Sequence, residues 1–312
     1  MPSSSHWPLI GHDYLGQHLL SALVQQRLAR FVLFSGPAHV GKSTAALWLA
    51  QVEFCQKTAS GQPCGTCPDC RQLIDRQHPS CQILDGQASS SIGVDDIRQA
   101  LETFHLRSWS AKRMWLIVLK AELLTEAATN TMLKALEELP EGVQVVMTSD
   151  VPERLLATLR SRATEYRWHL VPPTDFPAAT AGVVSRTALL ARAAGRPGLY
   201  QHFIRATEGY QQEHQLMKDA LTSGGVRLPK GSSAEAYERL LDTEELIARE
   251  CLLSAVGANR RLWPTDRTLV DAAASQTALQ SWVDRAERLL NRHRYLDANV
   301  QPQFVYDNLA VA

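Results

Sequence analysis

The sequence predicts an α/β protein, a parallel sheet with a glycine-rich loop after its first strand, followed by a helical C-terminal part. Three observations lead there. The apolar run Phe31-Val-Leu-Phe34 passes directly into Gly36-x-x-x-x-Gly41-Lys42-Ser43-Thr44, and an apolar-rich helical stretch continues from Ala45 to Glu53. Strand and helix patterns then alternate up to about Ser149. Beyond Pro172-Pro173 and Pro177 no convincing strand pattern returns. Alternation of this kind means parallel strands with helices on both faces, and a ligand site outside the strand C-termini.

Composition narrows the class. The 312 residues suffice for two or three domains with a substantial core. Hydrophobic residues make up 45% and charged residues 21%, as in ordinary globular proteins. With 32 basic and 32 acidic residues the formal charge is zero, which argues against strong nucleic-acid binding by the isolated chain. No apolar run approaches the ~20 residues of a membrane span, and Met-Pro-Ser-Ser-Ser-His-Trp lacks the order of a signal peptide. The expectation is a cytoplasmic protein, where cysteines more often bind metal than form disulfides.

In chain order, Leu15, Leu19, Leu20, Leu23, Val24 and Leu28 fall at helical spacing within residues 9–30. In the glycine loop, Gly36 and Gly41 let consecutive backbone N–H groups turn inward around a phosphate, and the following helix adds its positive N-terminal end. Lys42 would reach β/γ-phosphates and Ser43 would offer its hydroxyl to Mg²⁺. The bland alternative is an ordinary strand-to-helix turn containing two glycines. Hydrolysis at the site is a separate matter.

A turn-rich insertion over residues 58–70 comes next, with cysteines spaced Cys55, then eight residues, then Cys64-x-x-Cys67-x-x-Cys70. Four thiolates at such spacing suit a closed, structural zinc site. An iron–sulfur run would place Cys-Pro three residues after Cys70, which the sequence does not, and a disulfide pair is disfavoured by compartment. Cys81 and Cys251 stand apart and are expected in the core.

Cys81–Asp85 reads as a second strand, and Val94, Ile97, Leu101 and Phe104 mark a helix face after a Ser89-Ser90-Ser91 turn. Met114–Leu119 is a fully apolar strand, Ala121–Glu138 a long helix, and Gln144–Ser149 another buried strand. Leu189, Leu190 and Ala193 before Gly195-Arg-Pro-Gly198 signal a helix, turn and helix. From about Tyr210 the pattern is helical, with Leu240, Leu241, Leu246, Ile247 and Leu252 on one face and Trp282, Ala286, Leu289 and Leu290 on another.

Together these motifs resemble the bacterial clamp-loader subunits of DNA polymerase III, within the AAA+ superfamily. The resemblance covers essentially the whole chain. It rests on Leu33-Phe-Ser-Gly36-Pro with Gly41-Lys42-Ser43-Thr44, the four-cysteine insertion, His78-Pro79, Ile92-Gly-Val-Asp-Asp-Ile-Arg98, Asn130-Thr-Met-Leu-Lys-Ala-Leu-Glu-Glu138, Leu155–Arg162, and Leu296–Phe304. It implies a nucleotide-binding core over residues 1–171 with the zinc insertion at about 55–70, a helical lid over 172–209 and a helical collar over 210–312. The implied partners are the other subunits of a hetero-pentameric ring, and through them the sliding clamp and primer–template DNA, with no membrane. The implied cofactors are Zn²⁺ and ATP or ADP with Mg²⁺.

Departures from the family pattern bear on the role. Motor subunits carry Asp-Glu-Ala at the end of the strand here running from Met114 to Leu119; alignment through Glu126, Asn130 and Glu137-Glu138 puts Leu119 and Lys120 at the two acidic positions. Leucine cannot hold a metal, and lysine cannot accept from the attacking water. Glu122 lies too far along to substitute without a register change. The lid arginine aligns with Gly198, with Arg196 close by, and His39 replaces a glycine common in the family's loop.

The pattern resembles the delta-prime type, an accessory subunit that offers Arg162, after Ser161, to a neighbour's ATP; Ala163 stands where the family usually has cysteine. The alternatives are a surface or salt-bridging role for Arg162 and, for the chain, an active gamma/tau-like motor of the same loader. Thr148 reads either as a polar sensor of nucleotide or as a strand-end cap.

Overall fold

The computed structural model describes residues 7–58, 61–86, 91–107, 113–138, 142–177, 193–205, 234–257 and 267–290, with Leu190, Gln215 and Lys218. It divides into two compact units, one of Met1–Pro177 with Gly195–Gly198, the other of Ala178–Ala194 with Leu199–Ala312.

The first unit is built on five strands: β1 Phe31–Ser35, β2 Cys81–Asp85, β3 Met114–Leu119, β4 Val143–Ser149 and β5 Thr164–Arg167. Their order is β2-β3-β4-β1-β5, and every pairing is parallel. The expected parallel sheet is therefore present. Alternate side chains feed two cores. Val32, Phe34, Trp115, Ile117 and Val146 pack into one, together with Leu19 and Leu23 of α1 (Asp13–Val24), Ala45, Ala46, Leu49 and Val52 of α2 (Lys42–Phe54), and Leu73 of α3 (Pro68–Ile74). Phe31, Leu33, Leu116, Val118 and Val145 pack into the other, with Ile97 and Phe104 of α4 (Val94–Arg107) and Ala128 and Met132 of α5 (Glu126–Glu138). Continuous apolar strands are what a sheet covered on both faces requires.

Three elements differ from the sequence expectation. The first helix stops at Val24, because Gln26 takes a left-handed φ of 57° and Arg27 N–H bonds back to the Ala22 carbonyl at 2.7 Å; Leu28 reaches the core from the turn instead.

The long helix expected from Ala121 is divided. Lys120 is left-handed (φ 55°), Ala121–Leu123 make one 3₁₀ turn, and Leu124 is extended and bridges to Ile92. Ile92 N–H bonds to the Leu123 carbonyl at 2.8 Å and Thr125 N–H to the Ile92 carbonyl at 3.0 Å. Thr125 Oγ1 then accepts from Ala128 N–H at 3.2 Å and opens α5. A non-local bridge of this kind leaves no mark on local periodicity.

The third difference is β5, which sequence reading missed. Thr-Glu-Tyr-Arg is a four-residue edge strand paired with β1, with no apolar run to reveal it.

Helix α6 (Pro197–Arg205) follows the expected turn at Ala194-Gly195, whose φ values are 47° and 77°. In the second unit the regular elements among the described residues are helices, among them α7 Ala234–Ala255, α8 Arg267–Gln276 and α9 Leu279–Leu290. Of the expected apolar faces, Leu241, Ile247, Trp282 and Leu289 are buried and Leu252 and Ala286 partly so, while the side chains of Leu240, Leu246 and Leu290 lie outside the description; Tyr237, Ala248 and Val270 are buried as well. Inside this bundle the Arg285 guanidinium pairs with Glu244 at 2.5 Å and lies over the Trp282 ring, 5.6 Å from its centroid. Cys81 and Cys251 are core residues as expected, and burial pushes both thiols up to about 12. Leu189, the serines at 89 and 90, and the Leu296–Phe304 tail lie outside the described residues.

Candidate functional site

The glycine loop lies where β1 ends. Gly36 has φ 137°, and a Cβ there would stand 2.1 Å from the Trp168 carbonyl oxygen, so close approach of the chain after β5 demands glycine. Trp168 N–H bonds to the Ser35 carbonyl at 2.7 Å and Gly36 N–H to the Ser149 carbonyl at 3.2 Å, which ties the loop to both neighbouring strands. Gly41, φ 109°, precedes α2, and the first turn closes with Ala45 N–H on the Gly41 carbonyl at 2.9 Å. By helix geometry the N–H groups of Lys42, Ser43 and Thr44 are left for a ligand. His39, in the place of the family's glycine, is left-handed at φ 64°, a conformation that costs a non-glycine residue about 1 kcal/mol.

Lys42 is buried, with only 4% of its side chain exposed. Its Nζ donates to the carbonyls of Gly36 and Pro37, each at 2.6 Å, and pairs with Asp150 at 2.7 Å. Desolvation lowers its pKa, and Asp150 works against that shift.

Sequence reasoning missed Asp150 and the approach of Glu122. Asp150 follows β4 by one residue, so its carboxylate faces the loop; its backbone N–H donates to Glu122 Oε1 at 3.1 Å. The second oxygen of Glu122 is buried and has no hydrogen-bond partner. Glu122 reaches this place because Lys120 turns left-handed, the register change that straight helical spacing does not show. Thr148 is buried, and its Oγ1 accepts from Lys120 N–H at 3.1 Å, linking the ends of β3 and β4. Gly198 N–H bonds to the His39 carbonyl at 2.8 Å, and Arg196 lies near enough to oppose protonation of His39, whose pKa is lowered chiefly by burial.

The four cysteines come together. The Sγ atoms of Cys55, Cys64, Cys67 and Cys70 all lie within 4.8 Å of one another. Four thiolates around a tetrahedral zinc, at about 2.3 Å each, lie about 3.8 Å apart, so the cluster could hold a metal ion. Backbone N–H groups already point at sulfur: Cys64 N to Cys55 Sγ (3.2 Å), Cys67 N to Cys64 Sγ (3.3 Å) and Cys70 N to Cys67 Sγ (3.5 Å). Hydrogen bonds from the Thr66 and Cys67 backbone bring the Cys64 thiol down to about 6, whereas burial raises Cys70 to about 12. Helix α3, unforeseen in the sequence, starts on this cluster, with Cys67 as its cap and Pro68 in its first turn. His78 explains its own place in the motif: its Nε2 lies 3.4 Å from Asp69, and Gln56 donates to the same carboxylate at 2.8 Å, which fixes the cysteine module to the end of α2.

Arg162 stands at the other end of the sheet, two residues before β5. Its guanidinium donates to the Thr158 carbonyl at 3.1 Å and pairs with Glu137 at 2.9 Å, beside a surface recess of about 330 Å³ lined by Arg30, Phe31 and Thr164. Five residues of β1, at about 3.3 Å each, separate that edge from the glycine loop by roughly 15 Å. The structure thus gathers Gly36, Gly41, Lys42, Ser43, Thr44 and Thr148 at one end, sets the four cysteines apart from them, and places Arg162 at the opposite edge.

Among the described residues no helix is long and apolar enough to cross a membrane. The chain is 30% identical over 218 residues to the DNA polymerase III subunit gamma/tau of Mycobacterium tuberculosis (strain ATCC 25618 / H37Rv), covering 70% of this chain and 37% of that protein. It is 37% identical over 202 residues to the DNA polymerase III subunit delta' of Escherichia coli (strain K12), covering 62% and 59%, and 37% identical over 145 residues to delta' of Yersinia pestis, covering 46% and 41%. It therefore spans less than two thirds of each of these relatives. A family model described as DNA polymerase III, delta subunit, matches residues 11–170, just over half of the chain and all of the sheet. The glycine loop, the cysteine motif and the parallel sheet all fall within that match, and the chain belongs to this DNA polymerase III subunit family, the clamp-loader family that its motifs resemble.

Proposed function

We propose that the chain is an accessory, delta-prime-like subunit of a cytoplasmic DNA polymerase III clamp loader, which helps load the sliding clamp onto primed DNA. It contributes Arg162 to a neighbouring ATP site in a hetero-pentameric ring. Residues 1–171 form the nucleotide-binding core, 172–209 the lid and 210–312 the collar. Gly36, Gly41, Lys42, Ser43 and Thr44 bind the phosphates of ATP or ADP with Mg²⁺, and Thr148 stands at the strand end facing them. Cys55, Cys64, Cys67 and Cys70 hold a structural zinc, which supplies a cross-link and no open position for chemistry.

One observation carries this reading: Arg162 and Lys42 lie at opposite ends of the same sheet. An arginine about 15 Å from its own loop serves no phosphate there, but it is presented at an edge that a neighbouring subunit can meet. At the end of β3, Leu119 is 3% exposed and offers no metal ligand, and Lys120 offers no acceptor.

Glu122 favours a second reading, an active gamma/tau-like motor, because its carboxylate approaches Asp150 and bears on the Lys42 charge. Turnover by the purified chain separates the two. The accessory role expects ATP hydrolysis far below that of a motor subunit assayed alongside, and stable co-assembly with motor and delta subunits. Turnover equal to the motor's would support the second reading.

A further inference from the structure

In P-loop enzymes an acidic side chain near the end of a neighbouring strand helps hold the magnesium that neutralises the phosphates. Here that strand end carries Lys120. Its left-handed backbone is held by the Thr148 hydroxyl on its N–H, so the side chain leaves from a fixed point. Its Nζ lies 4.0 Å from one oxygen of Asp150, while the other oxygen lies 2.7 Å from Lys42 Nζ. Two ammonium groups from different elements thus straddle one carboxylate at the mouth of the glycine loop. Their surroundings are cationic on balance: Lys42, Lys120 and Arg196 face the two carboxylates of Asp150 and Glu122, and His39 is held toward its neutral form by burial. A carboxylate held by two lysines stands in for a phosphate group, with like charge and similar oxygen acceptors.

We propose that Lys120 is a phosphate ligand of this loop, which supplies the charge neutralisation otherwise left to a divalent cation, so that the chain binds nucleoside di- and triphosphates equally well whether or not Mg²⁺ accompanies them. This rests on the reading of the loop as a nucleotide site. On binding, the phosphates replace Asp150 between Lys42 and Lys120, and Asp150 turns outward. Lys42 supplies the inner charge and Lys120, half-exposed, the outer one.

Calorimetric titration of the full chain with ADP and ATP, in magnesium and in excess EDTA, tests it. The expected result is nearly equal affinity in both buffers. Lys120→Met should weaken metal-free binding by about tenfold, the cost of one lost charge-assisted contact, and Lys120→Arg should largely keep it. Strong loss of wild-type affinity in EDTA, or metal-free binding unchanged in Lys120→Met, overturns the role of Lys120 while the nucleotide site stands. Absence of wild-type binding in both buffers, or full affinity in Lys42→Ala, removes the nucleotide site and the proposal with it.

Discussion

Lys42 of the glycine loop is paired with Asp150 of the neighbouring strand end at 2.7 Å, so an incoming phosphate meets a lysine that already has a counter-ion. Binding must break this pair, and the pair in turn stabilises the empty loop around a buried ammonium. Asp150→Asn separates the two effects. It should lower stability by about 1–3 kcal/mol, because Lys42 loses its charged acceptor in a largely desolvated place. It should also tighten ADP binding, because the ligand no longer displaces a carboxylate. Thermal melts with and without ADP check both: the variant should melt lower alone and gain more from the ligand than the wild type. A smaller gain would mean that Asp150 assists binding.

The cysteine module should contain one zinc per chain, measured by elemental analysis of reduced protein. Its four sulfurs already converge, and His78, Asp69 and Gln56 anchor it to the end of α2. Cys67→Ser removes a thiolate ligand while leaving an oxygen able to cap α3, so metal content should fall and residues 55–74 should become protease-sensitive through the lost metal alone. The glycine loop is tied to its neighbours by backbone hydrogen bonds, Gly36 N–H to the Ser149 carbonyl and Trp168 N–H to the Ser35 carbonyl, and should keep its nucleotide affinity.

The helical bundle of the second unit holds a buried ion pair, Glu244 with Arg285, in which Glu244 is 1% exposed. Arg285→Ala removes the cation 2.5 Å from that buried carboxylate and also the guanidinium over Trp282. A loss of about 3 kcal/mol in chemical denaturation is expected. Replacing both partners by Leu and Met should recover much of it, since an apolar pair needs no desolvation.

Much of this was legible in the sequence because it depends on local pattern. Continuous apolar runs gave four strands, glycine and lysine spacing gave the loop, and paired x-x spacings gave the thiolate cluster. What escaped depends on partners distant in sequence. Thr164–Arg167 is a strand only because β1 offers it an edge, and no periodicity in four mostly polar residues says so. The break at Leu124 follows from its bridge to Ile92. Asp150 and Glu122 escaped for the same reason: one follows a strand by a single residue, and the other reaches the loop only after a left-handed Lys120.

Arg162 is the residue on which the proposed role in the ring depends. In the single chain it is satisfied by Glu137 and the Thr158 carbonyl, and both carboxylate and guanidinium are well exposed, at 62% and 45%. An exposed pair of this kind is worth only about 0.2–1 kcal/mol, so a neighbour's phosphate can draw Arg162 away with little loss. As a γ-phosphoryl group departs, charge spreads over its equatorial oxygens, and a planar guanidinium can bond several at once. An arginine supplied in trans contributes on the order of 10³–10⁵ in rate. Arg162→Ala should therefore leave folding and assembly unchanged but sharply reduce hydrolysis at one neighbouring site of a reconstituted loader. Arg162→Lys should fail to rescue it, because lysine brings the charge without the fork. Glu137→Gln should instead leave hydrolysis intact or raise it slightly, since it only frees the arginine from its resting partner. Equal rates for wild type and Arg162→Ala would reduce Arg162 to the surface ion pair seen in the single chain.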